Sequence, residues 1–188
     1  MKKVILKYIL AVVILTVLGT VAVCVYYYLK ETKEVTYSNV GNNYSVTLDS
    51  KVKWKNNSKE INYDNTLLLD HEGGNSSIIV VRLPIDNKST NSLQYFISSF
   101  DEESFSYFNS KNVKYEISPL NFSTENTRIE NCDAKKVHLK DGDQNNYAYY
   151  IYLQTDEAFY SISISSSSEK LVDYFYDYGI VDKMEFKK

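Results

Sequence analysis

Arginine is almost missing from this chain, with Arg82 and Arg128 its only two. The first 30 residues hold four lysines and no acidic residue. The rest carries 17 basic side chains against 24 acidic ones, a net charge of −7. Binding to a phosphate backbone needs clustered lysine and arginine, so nucleic acid is excluded as a partner. Histidine is as scarce, with only His71 and His138. Together with one thiol in the folded part they fall short of the nitrogen and sulfur ligands a metal centre requires, and no cofactor is expected. Cysteine is limited to Cys24 and Cys132. If the first sits in a bilayer and the second in a distant core, the two cannot form a disulfide, and the fold must rest on its apolar core. The few glycines make no phosphate-binding loop.

Tyrosine is abundant: 18 Tyr and 8 Phe offer large apolar areas for burial. The long hydrophobic run is at the start. Lys2, Lys3 and Lys7 precede an uncharged stretch from Tyr8 to Leu29. As a helix it would be ~33 Å long, against ~30 Å for the hydrocarbon of a bilayer. Lysines stand before it, while Lys30, Glu31, Lys33 and Glu34 cancel after it. The positive-inside rule then leaves the N-terminus in the cytoplasm and carries the C-terminal part across, with Tyr26, Tyr27 and Tyr28 at the outer interface. The expected organisation is a cytoplasmic tail over 1–7, a transmembrane anchor over 8–29, a linker over 30–39 and an extracytoplasmic domain over 40–188. Two other processing routes compete: cleavage after Thr20-Val21-Ala22, or lipid on Cys24, where Val23 stands in place of the usual small residue. All three leave the domain outside a bacterial-type cytoplasmic membrane.

Beyond the linker, period-2 patterns dominate. Tyr44 to Leu48 alternates as a first strand, and Trp54 reads as a core plug. Thr66 to Asp70 and Ser77 to Leu83 flank His71-Glu72-Gly73-Gly74-Asn75 as a hairpin. Ser89 to Ser110 predicts the main helix: Leu93, Phe96, Ile97 and Phe100 follow the i, i+3, i+4, i+7 rule, and Thr90 or Asn91 would cap it. Asp101-Glu102-Glu103 reads as its solvated face. Val113 to Ile117 predicts a strand stopped by Pro119. Ala134 to Leu139 and Tyr147 to Thr155 bracket a turn over 140–146, and Ala158 to Ser165 alternates again. A second helix is expected over 166–178 with Ser168 as cap, then a closing strand at Met184 to Phe186. The fold class is α+β: an antiparallel twisted sheet of about six strands packed with two main helices.

The order of these elements carries a resemblance. Tyr44-Ser45-Val46 leads to Trp54, an apolar hairpin and a helix opening at Leu93. Ile129-Glu130-Asn131-Cys132-Asp133-Ala134 then leads into the hairpin from Tyr147 to Ser165 and a last helix. This resembles the PsbP-like fold, shared by photosystem II extrinsic proteins and a Ran-binding nuclear import factor. Asn131, which tolerates positive φ, stands where such sequences often have glycine. The resemblance implies a fold and transfers no functional residues.

Candidate chemistry is thin. Asp141, Asp143 and Asn145 alternate like the first ligands of a calcium loop, but Asn146 and Tyr152 stand where that loop needs Gly and Glu. Cys132 would act as a nucleophile only with a base such as His138 beside it, which defines a hydrolase reading. Tyr150 and Tyr152 share one strand face; left uncovered, they and Trp54 would make an aromatic surface for a protein or a glycan, and covered, they are core. The sequence thus favours a non-enzymatic interaction module of the cell envelope that binds an envelope protein. A cell-wall glycan binder for peptidoglycan is the alternative, and the Cys132–His138 hydrolase stands third.

Overall fold

The computed structural model describes residues 19–21, 23, 33–61, 63–85 and 92–187. The expected anchor over 8–29 falls outside the described residues except at 19–21 and 23, and Cys24 lies outside them too. Among the described residues no helix is long and apolar enough to cross a membrane. The chain forms two compact units, 1–35 with 49–52 and 36–48 with 53–188. In the first, the Ser50 amide donates to the Lys33 carbonyl at 2.7 Å. The second unit holds two of the described helices and most of the described strands.

The described residues form ten strands: β1 (Glu34–Ser38), β2 (Tyr44–Asp49), β3 (Trp54–Asn56), β4 (Thr66–His71), β5 (Ser76–Pro84), β6 (Lys114–Leu120), β7 (Asn131–Asp141), β8 (Gln144–Gln154), β9 (Ala158–Ser166) and β10 (Met184–Phe186). In the second unit the described helices are α1 (Leu93–Ser110) and α2 (Glu169–Asp177), with a 3-10 turn at Ser58–Glu60. Seven strands make one antiparallel sheet in the order β3-β4-β5-β9-β8-β7-β6, and a smaller sheet runs β1-β2-β10. The α+β class and the hairpins therefore hold, with more strands than the expected six. The extra strands are short. Glu34–Ser38 was expected as linker, yet its alternating Val35 and Tyr37 suit a strand, and the Thr36 and Thr47 hydroxyls bond at 2.9 Å.

Register decides which side chains share a face. Tyr149, Ile151 and Leu153 of β8 lie opposite Ile164, Ile162 and Tyr160 of β9 on one face; Ala148, Tyr150 and Tyr152 point to the other. The α1 stripe packs on the second face, where Phe96 and Ile97 join Val137, Ala148, Tyr150, Tyr152 and Phe159 in one buried cluster. Helix α2 and the small sheet cover the first. Phe175 meets Trp54 at 5.2 Å between ring centres, Tyr176 stacks on Tyr149 at 4.6 Å, and Tyr44 meets Tyr160 edge-on at 5.4 Å. The buried Tyr44 hydroxyl donates to the Val80 carbonyl at 2.7 Å. Both faces of β8 are thus covered, and a strand covered twice reads as an unbroken apolar run. Residues 148–153 are all buried.

Local punctuation departs from expectation at several points. Ser92 caps α1, accepting from the Tyr95 amide at 3.3 Å, in place of Thr90 or Asn91. Ser168 occupies the N-cap of α2, but its side chain makes no capping bond. Pro119 does not end β6; it sits inside this edge strand, where a missing N–H costs nothing if it faces away from β7. The turn over 140–146 shrinks to Gly142-Asp143, because Gly142 at φ 59 lets two residues close the hairpin. Asn131 opens β7 in extended conformation, and the described non-glycine residues with positive φ are Asn42 and Asn112.

Candidate functional site

The residues first suspected of forming a surface are inside. Tyr150 is 9% exposed, Tyr152 1% and Trp54 5%. They are core because α1 covers the Tyr150–Tyr152 face and α2 covers Trp54, so no exposed aromatic surface exists there. Cys132 and His138 lie on the same strand, β7. Six residues of strand separate them by ~20 Å. Cys132 contacts the Phe122 carbonyl at 3.9 Å, and burial pushes its thiol pKa up. His138 stacks on Tyr147 at 4.6 Å and its Nε2 meets Asn145 Oδ1 at 3.0 Å. The structure does not bring the thiol and the imidazole together. Asp141, Asp143 and Asn145 fall in and beside a two-residue hairpin turn, with Asn145 already paired in β8. A twelve-residue calcium loop is not formed. Among the described residues no three His, Cys, Asp or Glu side chains come together as metal ligands.

Two polar clusters tie the helices to the sheet. On one face Asp101 of α1 accepts from the Tyr152 hydroxyl at 2.8 Å and from the Lys135 ammonium. Lys135 also lies over the rings of Phe105 and Tyr152, 5.3 and 5.1 Å from their centres. Asp101 is therefore an internal anchor and not part of a solvated acidic face, though Glu102 and Glu103 are exposed. Burial, and then the Asp101 carboxylate, drive the Tyr152 pKa far up. On the other face Asp173 of α2 accepts from the Tyr149 hydroxyl at 2.7 Å and from Lys136 at 2.9 Å. Lys136 also reaches Glu169 at 2.7 Å. Burial works to raise the Asp173 pKa, but the bonds from Tyr149 and Lys136 outweigh it and hold the carboxyl below its usual range. Tyr149 is pushed up to about 12, by burial first and Asp173 second.

One open cleft, of about 430 Å³, lies at the turn end of the large sheet. Its floor is apolar and half-buried: Phe108 from the last turn of α1, Val113 just before β6, and Leu139 of β7. The β7–β8 hairpin supplies an exposed run of side-chain amides, Gln144, Asn145 and Asn146. The β4–β5 hairpin adds Asn75 from across the opening. Tyr107 stands on the α1 side, 61% exposed. Its ring meets Phe108 at 6.1 Å, and Phe108 meets Tyr115 at 6.0 Å, so the aromatic wall is braced from behind. Lys111 sits over the Tyr107 ring at 5.9 Å, and Asp141 faces into the same space. One positive and one negative group leave the cleft without net charge. Sequence reading missed it because its parts come from positions far apart in the chain. The one local signal is the amide run 144–146, which by itself reads as turn.

No family model matches the sequence, and a search of curated proteins gives no significant match. Solved structures do match in fold. The Ran-binding protein Mog1p of Saccharomyces cerevisiae superposes with a TM-score of 0.51 at 14% identity, over 82% of this chain and 96% of its own. The cyanobacterial PsbP (CyanoP) of Synechocystis sp. PCC 6803 gives 0.54 at 8% identity, over 82% of this chain and 93% of its own. At such identities the likeness concerns the fold alone: the chain has a PsbP/Mog1-like fold.

Proposed function

We propose that the chain is a non-catalytic binding module of the bacterial cell envelope. Its N-terminal segment would hold it at the outer face of the cytoplasmic membrane, and it engages another envelope component through the cleft at the turn end of the large sheet. The observation that carries this reading is how the polar groups are divided. Asp101, Lys135, Lys136 and Asp173 bond inward to tyrosines and to one another. The Asn75, Gln144 and Asn146 amides and Tyr107 stand open around an apolar floor. Acids and bases already bonded to each other are poorly placed to move a substrate's protons. A concave site with an apolar base and a few polar groups is the usual form of a binding pocket. The envelope offers proteins and peptidoglycan as partners; the sequence alone favours a protein, and the neutral lining of amides and apolar rings in the cleft favours a glycan.

Two measurements test the reading. With Asn146→Cys placed in a Cys24→Ser, Cys132→Ser background, a membrane-impermeant maleimide should label intact cells; labelling only after lysis refutes the outer placement. Affinity capture from detergent extracts should recover a partner that is lost when Tyr107→Ala and Asn146→Ala are combined. Equal recovery with the double variant removes the cleft from the account.

A further inference from the structure

We infer that the cleft takes an uncharged saccharide, a stretch of N-acetylated sugar chain with one apolar face. This rests on the binding-module reading above and names the chemistry of its ligand.

Charge narrows the ligand first. The cleft holds one lysine and one carboxylate, and Lys111 is drawn toward the Tyr107 ring instead of standing free. Phosphate and sulfate groups are recognised by clustered or forked cations, and none is gathered here. The folded part also carries its net charge of −7, which repels anions at long range.

The kind of polar group narrows it further. Asn75, Gln144 and Asn146 each present both an acceptor and two donors. Such groups suit ligands that are donor and acceptor at once, namely sugar hydroxyls and the N–H and C=O of an acetamido group. A peptide strand would instead look for an unpaired backbone edge. At this end of the sheet Gln144, Asn145 and Asn146 are paired on one edge with Asp141, Lys140 and Leu139 of β7, and their other edge runs only three residues beyond the Tyr147–Ser166 pair, short for an added strand. Apolar contact completes the match. The exposed Tyr107 ring and the Phe108–Val113–Leu139 floor offer flat apolar area to the C–H face of a pyranose, while the ring's hydroxyl stays wet. The volume of about 430 Å³ lies in the range of small-ligand sites, about 300–1,000 Å³.

Glycine at 142 and the ladder up to Asp141–Gln144 fix the amide run on a tight hairpin. Phe108 and Tyr115 fix the aromatic side. The two walls are thus held before any ligand arrives, which keeps the ordering cost of binding low.

Full-length protein in detergent is titrated with an N-acetylglucosamine oligosaccharide by calorimetry, alongside a sulfated oligosaccharide of similar length. Saturable binding of the neutral sugar is expected, weakened at least tenfold by Tyr107→Ala and by Gln144→Ala combined with Asn146→Ala, with unfolding midpoints unchanged. These side chains are exposed, so folding should survive their loss. Neutral-sugar binding that both variants retain, or tighter binding of the sulfated chain, overturns the inference. So does a failure to bind sugar while a crosslinker at Asn146 captures a protein; in that case the binding-module reading stands. Failure of both sugar and crosslinking sinks the two together.

Discussion

Asp101→Ala is the substitution whose cost the structure defines best. The carboxylate is the shared acceptor for Tyr152 and Lys135. The Lys135 side chain is 12% exposed and that of Asp101 25%. Removing one member of a buried ion pair costs about 3–5 kcal/mol, because the other charge is left without compensation. Partial exposure of Asp101 admits water, and the Phe105 and Tyr152 rings still face the ammonium. The lower end, about 3 kcal/mol, is therefore expected, including the orphaned Tyr152 hydroxyl. For a domain of this size that lowers the melting midpoint by about 6–12 °C. Asp101→Asn keeps an acceptor for Tyr152 and should cost less. Adding Lys135→Met to Asp101→Ala removes the stranded charge, so the double variant should be no worse than Asp101→Ala alone, a coupling of at least about 1 kcal/mol. Urea unfolding of the full-length protein in mild detergent, followed by fluorescence of the single Trp54, reads the parent, Asp101→Ala, Asp101→Asn, Lys135→Met and the double variant. A loss within about 0.5 kcal/mol for Asp101→Ala, or strict additivity in the double variant, refutes the assignment of Asp101 as an internal anchor.

Three further outcomes follow from the geometry. Asp173 is held below its ordinary pKa, so its contribution is present above the normal carboxylate range and fades as pH falls through the lowered folded value. Tyr149 is raised from 10.0 to about 12 and Lys136 is also raised. Their contributions are full below pH 10 and are lost as pH climbs through the folded values; the fall in unfolding free energy between pH 10 and 12 should be shallower in Tyr149→Phe, and an identical slope would contradict the pairing. Gly74→Ala puts a Cβ 2.7 Å from His71 Nδ1; the imidazole must leave its place 5.9 Å from the Trp54 ring, and a changed Trp54 emission is expected where an unchanged spectrum would deny the contact. Gly142→Ala forces an L side chain into φ 59 and should cost about 1 kcal/mol in urea unfolding, with no measurable loss if the turn can relax.

Much of the fold was legible because burial leaves a period in the sequence. The Leu93, Phe96, Ile97, Phe100 stripe marks α1, and the β2 and β9 runs carry their alternation. Covering on both faces erased that signal in Tyr147 to Leu153, so whether Tyr150 and Tyr152 were surface or core depended on packing and not on the strand itself. Short strands such as Glu34–Ser38 and Trp54–Asn56 span too few residues for a period to show. Asp101 looked solvated because its neighbours Glu102 and Glu103 are; its partners lie 34 and 51 positions away. The cleft was hidden for the same reason. Its walls come from Asn75, Tyr107 and the 144–146 run, which only the sheet order brings to one end.

The cleft's role is tested most directly by photo-crosslinking in intact cells. The probe replaces Tyr107 in one protein, Asn146 in a second and Tyr63 in a third. Tyr63 is 71% exposed and lies at the far end of β4 from the cleft. Adducts to an envelope component from positions 107 and 146, with none from 63, are the expected result. Equal crosslinking from all three positions, or none from 107 and 146, would contradict a binding module that works through this cleft.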